Sequence, residues 1–173
     1  GMVFNACSAI AGVAPGTALA TTAQALLLWN PLDSGVNLSV IRLAYAYVSG
    51  TFAMGNHVLA RYSVKTPGTN LTPGGTAVTV LRADGSLAAG KALAFSAATC
   101  TAAPILCDIL DWIGVVDGTG ATQVGSVRIF DRDGSDIVQP GTALVMTFVS
   151  LAAGVGTTPK ATYSAKWAEI PLE

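Results

Sequence analysis

His57-Val58-Leu59-Ala60-Arg61-Tyr62-Ser63-Val64-Lys65 reads as a β-strand: Val58, Ala60, Tyr62 and Val64 fall on one side of a two-residue period, and His57, Leu59, Arg61, Ser63 and Lys65 on the other. Successive strand side chains point to opposite faces, so this alternation is what a half-buried strand requires. It places His57 on the more polar face. The same period returns where Tyr163, Ala165 and Trp167 alternate with Thr162, Ser164 and Lys166. Ile41, Leu43, Tyr45 and Tyr47 share one face of another segment, and Val127-Arg128-Ile129-Phe130 continues the theme.

Working outward, strands are expected near 17–29, 37–49, 52–65, 76–82, 91–97, 123–130, 137–151 and 160–170. Segment 104–116 fits a strand or a short helix. Turns are marked at Asn30-Pro31-Leu32-Asp33-Ser34-Gly35, Pro73-Gly74-Gly75, Ala83-Asp84-Gly85-Ser86, Asp117-Gly118 and Asp133-Gly134. Eight or so strands between closely spaced turns predict an all-β fold: two packed antiparallel sheets, a jelly-roll-like sandwich. No linker or composition break divides the chain, so residues 1–173 are expected to form a single domain, with Gly1 ahead of Met2 read as a cleavage-tag remnant. Pro15-Gly16-Thr17-Ala18-Leu19 recurs as Pro140-Gly141-Thr142-Ala143-Leu144. Each copy is expected to open a long uncharged strand, with Pro presetting φ and Gly permitting the bend.

Charged residues make up only 11% of the chain and hydrophobic ones 51%, which excludes intrinsic disorder. With nine Lys+Arg against ten Asp+Glu, no basic excess exists to neutralise phosphates, which argues against nucleic-acid binding. Residues 1–32 are uncharged. They lack the basic start of a secretory signal, and their apolar runs are too interrupted for a membrane span. A chain made in a cytoplasm, with no membrane association, is expected. Cys7, Cys100 and Cys107 are an odd set, against a disulfide framework. Cys100 and Cys107 could bridge across the Pro104 loop if oxidised; the simpler reading is small buried hydrophobes.

The residues that could carry chemistry are few. His57 is the only histidine, and no nucleophile motif accompanies it. Asp131, Asp133 and Asp136 lie close enough together to gather oxygen ligands for calcium, but the spacing does not match the twelve-residue calcium loop. The preferred reading is a solvated hairpin turn between 123–130 and 137–151. Asp108 and Asp111 beside Trp112 invite comparison with a glycosidase carboxylate pair, although a three-residue spacing does not establish one and the only glutamates, Glu169 and Glu173, lie at the chain's end. Of Trp29, Trp112 and Trp167, only Trp112 is expected to offer an exposed sugar-stacking platform. No catalytic residue, cofactor or metal site is therefore assigned, and the expectation is a protein that is not an enzyme.

Residues 92–107 and 137–159 carry no charge. A solvated sheet face usually shows Lys or Glu, so strands 17–29 and 137–151 are expected to be buried twice, in the core and against another subunit. That predicts a homo-oligomer, with a trimer as the candidate number. Leu28-Trp29-Asn30-Pro31-Leu32-Asp33-Ser34-Gly35-Val36-Asn37-Leu38 resembles a segment of small β-rich virion proteins of tailed bacteriophages. Val138-Gln139-Pro140-Gly141-Thr142-Ala143-Leu144, followed by Lys166-Trp167-Ala168-Glu169-Ile170-Pro171, is similar to their C-terminal strands. The resemblance implies a jelly-roll-like structural subunit of a capsid or tail, oligomeric, located in the virion and able to contact other virion proteins. A carbohydrate-binding β-sandwich is the alternative.

Overall fold

A computed structural model describes residues 2–14, 18–52, 54–62, 74–86, 89–100, 102–113, 127–150 and 157–173. Among them run β1 (Met2–Cys7), β2 (Leu26–Asn30), β3 (Val36–Thr51), β4 (Gly55–Tyr62), β5 (Gly74–Val78), β6 (Val80–Arg82), β7 (Leu93–Thr99), β8 (Ile105–Ile113), β9 (Val127–Val138), β10 (Thr142–Ser150) and β11 (Thr157–Pro171). All pairings between them are antiparallel, in two sheets ordered β6-β1-β11-β3-β9 and β5-β7-β2-β10-β4-β8.

The topology is a long hairpin rolled on itself. With β5, β6 and β7 set aside, β4 pairs with β8, β3 with β9, β2 with β10 and β1 with β11, each pair nested in the next. Rolling brings β3 beside β11 and β4 beside β10, which closes two four-stranded sheets into a jelly roll. The three remaining strands come from the connection between β4 and β8 and widen both sheets at the side away from β8 and β9.

Between the sheets lies the main core, with Phe4, Leu38, Leu43, Tyr45, Leu59, Phe148, Tyr163 and Trp167 all buried. The alternation in β11 holds: Tyr163, Ala165 and Trp167 point inward while Thr162, Ser164 and Lys166 are half-buried. In β3 it shifts. Ile41 is a bulge residue, since Lys166 faces Arg42 and Trp167 faces Val40, so Val36, Leu38 and Val40 join Leu43 and Tyr45 inside and Ile41 drops out.

Several expectations are corrected. β1 falls where no strand was expected, because its uncharged sequence carries little alternation. Among the described residues of the 17–29 segment only Leu26–Trp29 are strand, β2 running on to Asn30; the second Pro-Gly-Thr-Ala-Leu copy opens a strand at Thr142, while residues 15–17 of the first lie outside the described residues. Segment 76–82 divides between two sheets, β5 pairing with β7 and β6 with β1. Asp131–Asp136 is no hairpin turn: β9 runs through it, with Asp133 (φ 47°) and Gly134 (φ 77°) forming a bulge. The chain reverses instead at Gln139–Gly141. The Asp117-Gly118 turn lies outside the described residues.

The uncharged faces of β2 and β10 find their cover within the chain. Leu27, Ala60, Tyr62, Ala98, Cys100, Ala143 and Val145 form a second buried cluster on the outer side of the six-stranded sheet, with Leu19, Trp29 and Phe95 against it. Leu19 packs on this cluster, and residues 21–24 continue the edge alongside β7: Gln24 bridges to Ala98, and the Cys100 amide donates to the Thr21 carbonyl at 2.7 Å. A partner subunit is not needed to explain why these strands lack charge.

The Asn30–Gly35 turn is locked by one side chain. The buried Asn30 amide nitrogen donates to the Val36 carbonyl at 2.8 Å and to the Val138 carbonyl at 2.9 Å. Its own carbonyl receives the Gly141 amide at 2.8 Å, and the Leu172 amide donates to Gly35 at 3.0 Å. The stretches that carry the bacteriophage resemblance thus meet at one end of the sandwich. Asn30→Ala removes both of these bonds and leaves the Val36 carbonyl only the longer 3.3 Å bond from the Ser34 hydroxyl, so we expect it to cost about 2 kcal/mol in chemical denaturation. An unchanged midpoint would show that Asn30 does not hold this end together.

Candidate functional site

Polar chemistry concentrates where the sandwich opens between β8 and β9, the edge strands of the two sheets. β8 is irregular in a regular way. Its register against β4 shifts twice, so that Asp108 faces Leu59, Asp111 faces His57, Leu106 faces Ala60, Ile109 faces Val58 and Trp112 faces Asn56. Directly opposed residues share a face. The bulges therefore turn a three-residue spacing into a common side: Asp108 and Asp111 turn inward, and Leu106, Ile109 and Trp112 turn outward. Without bulges, residues three apart on a strand would point oppositely. Segment 104–116 is thus a strand whose spacing imitates a helix.

The two inward acids meet arginines from β9. Arg132 Nη1 donates to Asp108 Oδ2 at 2.9 Å, and its Nε to Asp136 Oδ2 at 2.6 Å. Asp136 Oδ1 receives Arg61 Nη2 from β4 at 2.6 Å, while Arg61 Nη1 reaches the Ile137 carbonyl at 2.7 Å. Asp111 Oδ2 takes the Tyr45 hydroxyl at 2.5 Å and Arg128 Nε at 3.2 Å. Burial pushes the Asp136 carboxyl up, but the hydrogen bonds from Arg132 and Arg61 outweigh it and hold this group below the usual carboxylate range. The belt ties β4 and β8 of one sheet to β9 of the other. Its oxygens are occupied by guanidinium, phenol and backbone-amide donors, the Ile109 and Trp112 amides donating to Asp108 Oδ1 and Asp111 Oδ1, so the suggested carboxylate pair is instead two separate halves of a clasp.

His57 sits behind the belt. Contrary to its expected polar face, it is fully buried and points into the core. Its ring stacks on Tyr45 with centroids 3.8 Å apart, and Phe52, Phe148 and Tyr163 surround it. The Tyr163 hydroxyl lies 3.3 Å from Nδ1. Burial drives its pKa down to about 3, against a weaker upward pull from Asp111, so the ring is neutral at physiological pH. Burial likewise raises Tyr45, with Asp111 adding to it.

The remaining candidates separate. Asp131 and Asp133 are exposed while Asp136 is buried in the belt, and among the described residues no three His, Cys, Asp or Glu side chains converge on a metal position. Cys100 is buried in the outer cluster and Cys107 is exposed on β8, and both are free thiols, as is Cys7. Glu169 is buried, its Oε1 receiving the Lys91 and Ala92 amides at 2.7 and 3.0 Å, which fixes the start of β7 to β11; Glu173 belongs to the exposed end. Trp167 is buried, Trp29 packs on the outer cluster and Trp112 is 59% exposed. Sequence reasoning missed Tyr45, Arg61, Arg128 and Arg132 as partners of the acids. The available signal was their scarcity: in a chain with so few charges, arginines 128 and 132 close in sequence to acids predict pairing. No family model matches the chain, and no curated protein or solved structure matches it either.

Proposed function

We propose that this chain is a non-catalytic assembly subunit of a phage or prophage particle, as a capsid decoration, fibre or tail component, acting as a homo-oligomer within the virion. The observation that carries the reading is the exposed apolar side chains of the two edge strands: Leu106, Ile109 and Trp112 on the outward face of β8, and Val127 and Ile129 on β9. Grouped apolar side chains of this kind mark contact surfaces. The jelly-roll topology supports it, being common to capsid and lectin domains, though topology alone assigns no function. The polar groups near β8 are engaged in holding the sheets together, which leaves contact as the property of this edge.

Trp112 also favours the carbohydrate-binding alternative, since one ring is exposed beside Asn56. A multi-ring platform would need Trp29 or Trp167, and both are committed to packing. Light scattering at tens of micromolar distinguishes the two. We expect a mass that is a multiple of 17.4 kDa and no retention on a glycan array. Peptides of the chain should also appear in gradient-purified particles from a lysate of the organism carrying the gene. A monomer that binds glycans, or particles free of the chain, would overturn the proposal.

A further inference from the structure

We infer that the mouth of the sandwich between β8 and β9 is an acid-released clasp: a proton taken up from solvent by His57 draws Asp111 away from Arg128, and β9 parts from β8 at that end while the far side of the sandwich stays closed. This behaviour belongs to the fold of one copy and does not depend on the assembly reading above. The two sides of the sandwich are closed by different forces. Away from the mouth, the sheets meet through Phe4 and Trp167 from one and Leu28 and Ala94 from the other, all buried. At the mouth they meet through ions: Arg61–Asp136, Arg132–Asp108 and Arg128–Asp111 each join a side chain of one sheet to a side chain of the other. Among the described residues the only ion pair away from the mouth is Arg82–Asp84. Apolar burial is indifferent to pH, whereas an ion pair responds to any change in the charge beside it.

The charge that changes is that of His57. It stands directly opposite Asp111 across the β4–β8 ladder, so the two side chains are neighbours on the inner face. Tyr45 from β3 stacks on the ring at 3.8 Å, and Tyr163 from β11 sets its hydroxyl 3.3 Å from Nδ1. Phe148 from β10 and Phe52, neither of which ionises, complete the enclosure. Asp111 is the carboxylate that acts on the ring, and Arg128 from β9 is the cation beyond it. The second ring nitrogen, Nε2, is buried and has no partner. A neutral ring tolerates that, but an imidazolium has N–H donors on both nitrogens and a charge that no water reaches. The group that answers both needs is the Asp111 carboxylate, shared in the closed form between the Tyr45 hydroxyl and Arg128.

His57 and Arg128 then compete for one carboxylate, and their surroundings decide the contest. The Arg128 side chain is 53% exposed and reaches Asp111 through Nε at 3.2 Å, so water replaces that contact at little cost. The buried imidazolium has no such substitute. His57 and Asp111 belong to one sheet and Arg128 to the other, so the exchange turns an ion pair between sheets into one within a sheet. Arg132, bonded to Asp136 at 2.6 Å and to Asp108 at 2.9 Å, holds the other end of the mouth as a pivot. Burial keeps the enclosed ring neutral, and a parted mouth admits water and returns the ring toward its ordinary value of 6.5. Falling pH therefore favours the parted form.

Electron–electron distance measurements on the full chain carrying nitroxide labels test this. One label pair spans the mouth: native Cys107 on β8 and Ile129→Cys on β9, with Cys7→Ser, both sites being exposed. The control pair spans the far side: native Cys7 on β1 and Leu93→Cys on β7, with Cys107→Ser. Labels are attached at pH 7.5, where Cys100 is buried. Between pH 7.5 and pH 4 we expect the mouth pair to gain a population longer by about 5 Å, half the usual separation of packed sheets, and the control pair to hold its distance. His57→Leu should keep the mouth pair short down to pH 4. Should that variant misfold, Arg128→Gln decides, because it should show the longer distance already at pH 7.5. A mouth pair that stays short at pH 4 in the wild type, or stays short in Arg128→Gln, overturns the inference. So does lengthening that persists in His57→Leu, which places the trigger in the belt carboxylates, or lengthening of both pairs together, which is loss of the whole fold.

Discussion

Gly55→Ala is expected to destabilise the protein by about 3 kcal/mol, the upper range for overpacking a tight site. Gly55 lies at the start of β4, between Ser150 of β10 and Ile113 of β8. A Cβ there would penetrate the van der Waals envelope of the Val149 carbonyl oxygen, lie 2.5 Å from Phe148 Cζ and sit 3.0 Å from Ser150 Cα. Two of these neighbours are backbone, which cannot rotate away. Relief requires β4 to part from β10, and these are the strands whose pairing closes the roll. Gly35→Ala is the control, because Gly35 has φ +68° with nothing near its absent Cβ. It should cost about 1 kcal/mol, from backbone strain alone. Denaturant midpoints for the two variants provide the comparison, and equal losses would mean that the close approach of β4 to β10 is not what demands glycine.

Acidification should strip about 3 kcal/mol of stability between pH 7 and pH 4 through His57 alone. The buried ring is held near pKa 3 in the folded chain, against an ordinary value of 6.5. Below pH 6.5 the unfolded chain takes up a proton that the folded chain refuses. Stability is therefore complete above that value and falls as pH drops, until the folded ring itself protonates near pH 3. Asp136 acts in the same direction but later: its folded value is depressed, so its contribution is present above the ordinary carboxylate pKa of 3.8 and is lost only as pH falls below it. The window from pH 6.5 to pH 4 thus isolates the histidine. His57→Leu should flatten the stability profile across that window while leaving the steeper loss below it. Equal slopes for wild type and variant would show that the ring does not stay neutral in the folded chain.

Where side-chain period and sheet geometry agree, the strands were readable from residues alone. β11 is the plainest case: Tyr163, Ala165 and Trp167 point inward as their alternation requires. The Asn30–Gly35 turn was readable too, because Asn, Pro, Ser and Gly favour turn geometry through local interactions. The candidate site was less legible. Asp108, Asp111 and Asp136 drew attention as acids, but their partners come from β3, β4 and β9, brought alongside only by the rolled topology. The acids therefore suggested a catalytic pair or a calcium ligand set, where the folded chain makes them a clasp.

By itself, the sequence determined an all-β class and an antiparallel two-sheet sandwich, because alternation and turn chemistry are local properties. Tertiary structure alone decided which face of a strand is inside. In β4 both faces are buried, one by the main core and one by the chain's own outer cover, so the polarity of His57 and Arg61 pointed to the wrong side. In β8 two bulges, set by pairing with β4, changed the period from two to three and placed three apolar side chains together in the open. Burial depends on what distant segments lay across a strand, and a bulge depends on register with a partner. Neither is encoded in the period of the strand that bears it.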